Sequence, residues 1–170
     1  MSTNDPTTPA TPHAATGKVD RAHVPAAALN ALLGVEGYLR ECGLERGLLH
    51  LVKLLASYRN RCAYCVDMHT KDARALGEME MRLYATPVWR DTPFFSPRER
   101  AAFELTEALT RLHPEGIPEA VLAETRRHFS ETELVNLSMV IIAINMWNRF
   151  TAVVHSQAGS YRPASEATHG

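Results

Sequence analysis

The chain has 170 residues, of which 45% are hydrophobic and 22% charged, enough for one domain with its own core and short for two. Eighteen Lys and Arg side chains stand against nineteen Asp and Glu, which leaves a formal net charge of −1 at pH 7. This balance lacks the basic surface that nucleic acid or an anionic membrane would need, so we expect neither partner.

The two ends of the chain predict little structure. Residues 1–23 are rich in Thr, Pro and Ala and offer almost nothing to bury, so we expect a disordered leader before a domain at 24–161. Residues 162–170 are small and polar, typical of a flexible tail. The leader lacks the basic start and apolar stretch of a secretory signal, so we expect a cytoplasmic protein.

Apolar residues recur at helical spacing in three segments of the first half of the chain. The first segment begins at Pro25 and ends at Cys42-Gly43, and the second covers about 44–59. The third opens at Cys62 after a polar break and closes at Gly77, a residue common after helix ends. These patterns predict three helices, the third of which carries two of the three cysteines.

The second half of the chain predicts four further helices. A short helix at about 80–85 precedes a packed connector that is rich in Pro and aromatic residues. Ser96 with Glu99 and Ser130 with Glu133 have capping-box spacing, which predicts helix starts there. A shorter helix at about 118–128 lies between them. Since no segment shows strand alternation or a phosphate-binding glycine loop, the sequence predicts an all-α fold of about seven helices.

The last predicted helix is unusually apolar. It runs from Leu134 to Val154, and several Asn and one Arg interrupt it, so it indicates a buried helix and not a membrane span. Such a helix needs covering on most of its surface, more than a monomer of this size easily provides. We therefore expect a homo-oligomer.

Cys62, Cys65 and His69 form a C-x2-C-x3-H arrangement at the opening of the third helix. Spacings of three and four residues would place all three side chains on one helical face. The first turn of a helix also stabilises a thiolate over a thiol. Because a disulfide between such positions is within reach, one cysteine could attack an oxidant and the other resolve the product. The alternative interpretation is that the two cysteines are small buried hydrophobic residues without a chemical role.

Zinc binding is a second alternative. Cys62, Cys65, His69 and His50 together form a candidate Cys2His2 ligand set. Three ligands on one helical turn point roughly parallel instead of converging tetrahedrally, and the sequence contains no second C-x2-C or H-x3-H. A non-enzymatic zinc-binding or redox-sensing oligomer that uses these residues nevertheless remains open.

The segment 51–78 carries a family resemblance, with the sequence LVKLLASYRNRCAYCVDMHTKDARALGE. A Leu-Val-rich helix, a Ser, an Asn two places before the first Cys, Cys-x-Tyr-Cys and a His four residues later together resemble the AhpD-like proteins of the carboxymuconolactone decarboxylase superfamily. Weaker likeness extends from Pro25 to Tyr161. The resemblance implies an all-helical oligomer, often a trimer or hexamer, that reduces alkyl hydroperoxides without a bound cofactor. Its electron donor would be a dithiol, a thioredoxin-like protein or a lipoyl group.

The resemblance also assigns roles to residues. Cys65 looks like the thiolate that attacks the peroxide, Cys62 like the resolving thiol and His69 like part of a proton relay. Twelve residues before the first cysteine, where the family usually has Glu, this chain has His50. A neutral His50 could accept a proton, a charged one could stabilise the thiolate, or the relay could be broken. Arg61, where the family commonly has Gly, adds a positive charge beside Cys62.

Overall fold

The structure is a computed structural model that describes residues 17–163. Seven α-helices follow one another along this part of the chain: α1 Ala26–Arg40, α2 Arg46–Arg59, α3 Ala63–Ala75, α4 Glu80–Ala85, α5 Pro97–Thr110, α6 Glu119–Arg126 and α7 Glu131–Val153. Two 3₁₀ helices, Arg21–His23 and Thr86–Asp91, complete the regular structure, and these residues include no strand. The predicted all-α fold of about seven helices is therefore confirmed.

Both predicted capping boxes are present. The Ser96 and Ser130 hydroxyls each accept a hydrogen bond from the backbone N–H three residues later, at 3.3 Å. In return, the Glu99 and Glu133 carboxylates accept the serine backbone N–H groups at 2.8 Å. Each capping box thus provides partners for two backbone N–H groups that have none within the helix, at the start of α5 and again at the start of α7.

Helix α2 forms the centre of the molecule. Leu51, Val52, Leu54 and Leu55 are fully buried, and the helix contacts α3, α5 and α7. Because every residue from Leu51 to Ser57 is buried, a run of about two helical turns, α2 is enclosed on most of its circumference. This enclosure brings the polar His50, on the same helix, into the interior of the fold.

Helix α7 is buried on one side only. Leu137, Val140 and Ile141 are fully buried against the other helices, whereas Val135 and Ile142 are 61% and 52% exposed. The predicted homo-oligomer would cover this outer apolar face, and it stays a prediction. No helix in the part of the chain that the structure describes is long and apolar enough to cross a membrane.

Residues before 24, the predicted start of the domain, also contact the helices of the fold. The Val19 N–H donates to the Val153 carbonyl at 2.9 Å, and the His155 N–H donates to the Val19 carbonyl at 2.8 Å. These bonds hold Val19, which falls within the predicted leader, against the end of α7. Backbone pairing of this kind leaves no apolar pattern in the sequence. Residues 1–16 of the predicted leader and 164–170 of the predicted tail lie outside the described residues.

Candidate active site

Cys62 and Cys65 are joined by a disulfide at the N-terminus of α3, with their Cα atoms 5.3 Å apart. Cys62 is the N-cap residue of α3, and its sulfur accepts a hydrogen bond from the Cys65 N–H at 3.3 Å. The separation of the Cα atoms is usual for a disulfide. The spacing of three residues at a helix start therefore brings the two sulfurs within bonding reach.

Side-chain amides hold the turn between α2 and α3, which precedes Cys62. The Asn60 side-chain amide donates to the Oδ1 of Asn145 at 2.9 Å and to the Oδ1 of Asn148 at 2.8 Å, both on α7. Asn148 in turn donates to the Ser57 hydroxyl at 3.2 Å. Because a buried amide that loses its partner is costly, this network fixes the α2–α3 turn against α7.

Arg61 connects this turn to Cys62 in a backbone conformation that favours glycine. Its φ is +57°, and among the non-glycine residues that the structure describes no other has a positive φ. Left-handed backbone costs an L-residue about 1–2 kcal/mol, because Cβ approaches the following carbonyl oxygen. Glycine has no such cost, which agrees with the family preference at this position.

Arg61→Gly is expected to raise the free energy of unfolding by about 0.5–1 kcal/mol, because the gain in the folded turn exceeds the entropy that glycine adds to the unfolded chain. Urea unfolding of the disulfide-bonded protein measures the change. Arg61→Ala is the matched control, since it removes the same charge but keeps the Cβ atom. An equal gain in both variants would attribute the effect to charge and not to the backbone.

Thr151 on α7 lies against both sulfurs. Its hydroxyl oxygen is 3.1 Å from the Cys62 sulfur and 3.7 Å from the Cys65 sulfur. The side chain is 7% exposed, so the contact is shielded from water. After reduction, this hydroxyl is placed to exchange hydrogen bonds with either thiol. Sequence reasoning missed Thr151 because no local pattern links it to a motif 86 residues earlier.

A cavity of about 680 Å³ reaches Cys65 but not Cys62. Its wall is largely apolar, with Leu and aromatic side chains from α1, α2 and α7: Leu33, Leu39, Leu49, Trp147 and Phe150. Cys65 is 1% exposed overall, so the cavity is its access to small molecules. The two cysteines therefore differ in their access to the cavity, although both are buried.

Two imidazoles meet in the same cavity. His69 on α3 is 4% exposed, and neither of its ring nitrogens has a hydrogen-bond partner among residues 17–163. The ring centroid of His50, on α2, is 5.8 Å away. Asp72 completes the group, with its Oδ2 4.0 Å from the His50 Nδ1. Asp72 follows His69 by one helical turn on α3, so the spacing of these two residues in the sequence already predicts that they are neighbours.

Burial sets the protonation of both imidazoles. It lowers the pKa of His69 well below the ordinary value, and the charges of Lys53 and His50 lower it further. Burial also lowers the pKa of His50, while the nearby Asp72 carboxylate opposes that shift. Both rings are therefore neutral near pH 7 and able to accept a proton. A neutral His50 that accepts a proton is one of the three possibilities that the sequence leaves open, and it agrees with this electrostatic environment.

A buried ion pair forms another part of the cavity wall. Lys53 on α2 is 8% exposed, and its Nζ donates to the Glu36 Oε2 at 2.6 Å. The Trp147 indole N–H donates to the other oxygen of Glu36 at 3.0 Å. The three residues thus satisfy one another across α1, α2 and α7, and they place one positive and one negative charge beside the imidazoles.

The disulfide excludes the alternative Cys2His2 zinc site in the oxidised protein. Cys62 and Cys65 are bonded to each other, and a disulfide sulfur is not the thiolate that zinc requires. Among residues 17–163, the side chains close enough together to hold a metal are His50, His69 and Asp72. The two cysteines do not belong to that group.

Residues 25–108 match the model of the carboxymuconolactone decarboxylase family. The uncharacterised protein YdfG of Bacillus subtilis is 36% identical over 132 residues, which cover 78% of this chain and 90% of that protein. This chain belongs to the carboxymuconolactone decarboxylase family. The uncharacterised YnjA of Escherichia coli is 32% identical over 94 residues, half of its length. The AhpD-like resemblance seen in the sequence is confirmed.

Solved structures place this carboxymuconolactone decarboxylase family member among AhpD-like folds. An Agrobacterium tumefaciens protein of unknown function, proposed to be the antioxidant defence protein AhpD, is 36% identical, with a TM-score of 0.81. The match covers 85% of this chain and 99% of that protein. The debrominase Bmp8 is 20% identical over 77% of this chain and 70% of its own, with a TM-score of 0.70, which shows a shared fold alone.

Proposed function

We propose that this protein is a thiol-dependent peroxidase that reduces small alkyl hydroperoxides. The Cys65 thiolate attacks the terminal oxygen of the hydroperoxide. The O–O bond breaks, the cysteine becomes a sulfenic acid, and the departing alkoxide takes up one proton to become the alcohol. The Cys62 thiol then attacks the sulfenic sulfur, forming the disulfide and releasing water. An external dithiol reduces the disulfide and is itself oxidised.

One observation carries this proposal: a disulfide-bonded cysteine pair of which Cys65, and not Cys62, lines the cavity of about 680 Å³. A hydroperoxide that enters the largely apolar cavity would meet Cys65 first, and Cys62 is already within bonding distance of it. His69 follows Cys65 by one helical turn in the same wall and is neutral near pH 7. It can therefore accept the thiol proton and return it to the departing alkoxide, with His50 as the next acceptor.

The partners follow from the chemistry. The electron donor is a dithiol, either a thioredoxin-like protein or a lipoyl group, since one two-electron oxidation of such a donor restores the pair. The reaction fits the cytoplasm, where dithiols are kept reduced. We further propose a homo-oligomer, a trimer or hexamer, that covers the apolar outer face of α7.

The test is dithiol-coupled turnover of an alkyl hydroperoxide. We expect steady consumption of peroxide by the wild-type protein and only background consumption by the double variant Cys62→Ser/Cys65→Ser. Cys42→Ser is the matched control, because Cys42 is a free cysteine that lies outside the cavity lining. Wild-type turnover equal to that of the double variant would overturn the proposal.

A further inference from the structure

His50, His69 and Asp72 form a cluster, and the proposed peroxide reduction uses its two imidazoles but gives no role to its carboxylate. Their ligand atoms all lie within 4.8 Å of one another, and all three residues line the cavity. His69 is 4% exposed, yet within the described part of the chain both of its ring nitrogens lack a hydrogen-bond partner, as does the Nδ1 of His50. Unpaired buried polar atoms cost stability, so they commonly mark a place where a ligand supplies the missing bond.

We propose that these three side chains bind a divalent transition-metal ion of the Zn²⁺ class, with two imidazoles and one carboxylate as ligands. This donor set suits zinc and similar metals. Three protein ligands leave at least one coordination position for a water or small ligand from the cavity, an arrangement typical of catalytic rather than structural zinc sites. The binding of the metal does not depend on the peroxidase activity.

The distances are compatible with binding after a small contraction. Ligand atoms around a tetrahedral zinc ion stand about 3.3 Å apart, given metal–ligand distances of about 2.0–2.1 Å. The His50 Nδ1 and the Asp72 Oδ2 are 4.0 Å apart, and no two ligand atoms of the cluster are more than 4.8 Å apart, so the approach needed is at most about 1.5 Å. His69 and Asp72 share α3, which fixes one pair of ligands, and α2 supplies the third from the opposite wall.

A neighbouring hydrogen bond orients the carboxylate. The Tyr161 hydroxyl donates to the Asp72 Oδ1 at 2.7 Å, which leaves the Oδ2 directed toward His50. Partners of this kind fix metal-binding carboxylates in known sites, and their loss typically weakens metal affinity about 10–100-fold. Tyr161 therefore supports the cluster without itself belonging to it.

Nearby positive charge does not exclude a cation. Lys53 is the closest buried ammonium group, and its charge is balanced by Glu36 at 2.6 Å. Arg46 also faces the cavity, but it is exposed, so water screens its charge. The negative charge of Asp72 then remains to favour the metal ion.

Zinc titration of the full-length, disulfide-bonded protein by calorimetry tests the proposal. The oxidised form is chosen because its sulfurs cannot bind zinc as thiolates. We expect one Zn²⁺ ion per chain, with affinity at least tenfold weaker in His50→Leu, His69→Ala and Asp72→Asn, and about tenfold weaker in Tyr161→Phe. His50→Glu should retain binding, since a carboxylate replaces the imidazole. His155→Gln, an exposed histidine outside the cavity lining, is the matched control.

The double variant Cys62→Ser/Cys65→Ser separates this proposal from the peroxidase. It should bind zinc with unchanged affinity although it has no peroxidase activity. Circular dichroism of each variant checks the fold, and Tyr161→Phe keeps the test decisive if a ligand variant does not fold. The proposal is overturned if zinc in large excess does not bind, if His50→Leu and Tyr161→Phe bind as the wild type does, or if removal of the cysteines abolishes binding.

Discussion

Cys65→Ser is expected to abolish all reaction with alkyl hydroperoxide, whereas Cys62→Ser is expected to stop only turnover. Cys65 lines the cavity and Cys62 does not, although the two are bonded to each other. Without Cys65, no thiolate faces the peroxide. Without Cys62, the first step still converts Cys65 to a sulfenic acid, but no neighbouring thiol condenses with it.

Single-turnover experiments on reduced protein distinguish these outcomes. Cys62→Ser should consume about one equivalent of peroxide per chain, and a sulfenic-acid reagent should label Cys65, as mass spectrometry of peptides would show. Cys65→Ser should consume none above background. The reverse pattern, with Cys62 labelled in Cys65→Ser, would show that the cavity does not choose the attacking cysteine.

Phe103→Ala is expected to lower the free energy of unfolding by about 3–5 kcal/mol. Phe103 on α5 is fully buried, with its ring centroid 5.0 Å from that of Phe95 and 5.6 Å from that of Trp89. Removal of the ring loses the burial of its apolar area and leaves a cavity that these neighbours cannot close. Because domains are commonly stable by about 5–15 kcal/mol, the loss would be a large fraction of the total.

Phe94→Ala provides the matched control, because Phe94 carries the same side chain in the segment just before α5 but is 40% exposed. This change should cost no more than about 0.5 kcal/mol. Urea unfolding of both variants, at one protein concentration and in the disulfide-bonded form, measures the difference. Similar losses in the two variants would contradict the described packing around Phe103.

Local patterns in the sequence predicted most of the fold. The capping serines Ser96 and Ser130, the helix-ending Gly77 and the apolar periodicity act within a few residues of one another, so they are readable without knowing the tertiary structure. The same holds for the Cys62 and Cys65 pair, whose proximity follows from helix geometry. The sequence did not predict the position of residues 17–23. Backbone hydrogen bonds of Val19 hold this segment at the end of α7, and such bonds do not depend on the pattern of side chains.

The sequence by itself determined the seven helices, the disulfide-capable pair and the unusual His50. Only the tertiary structure decided which cysteine meets the cavity, that Thr151 contacts both sulfurs, and that His50 faces His69 and Asp72. Each of these features joins side chains from different helices, and α2, α3 and α7 meet only when their apolar faces pack together. Helix periodicity fixes which face of a helix is buried, but the partner that covers that face is chosen by packing across the whole chain.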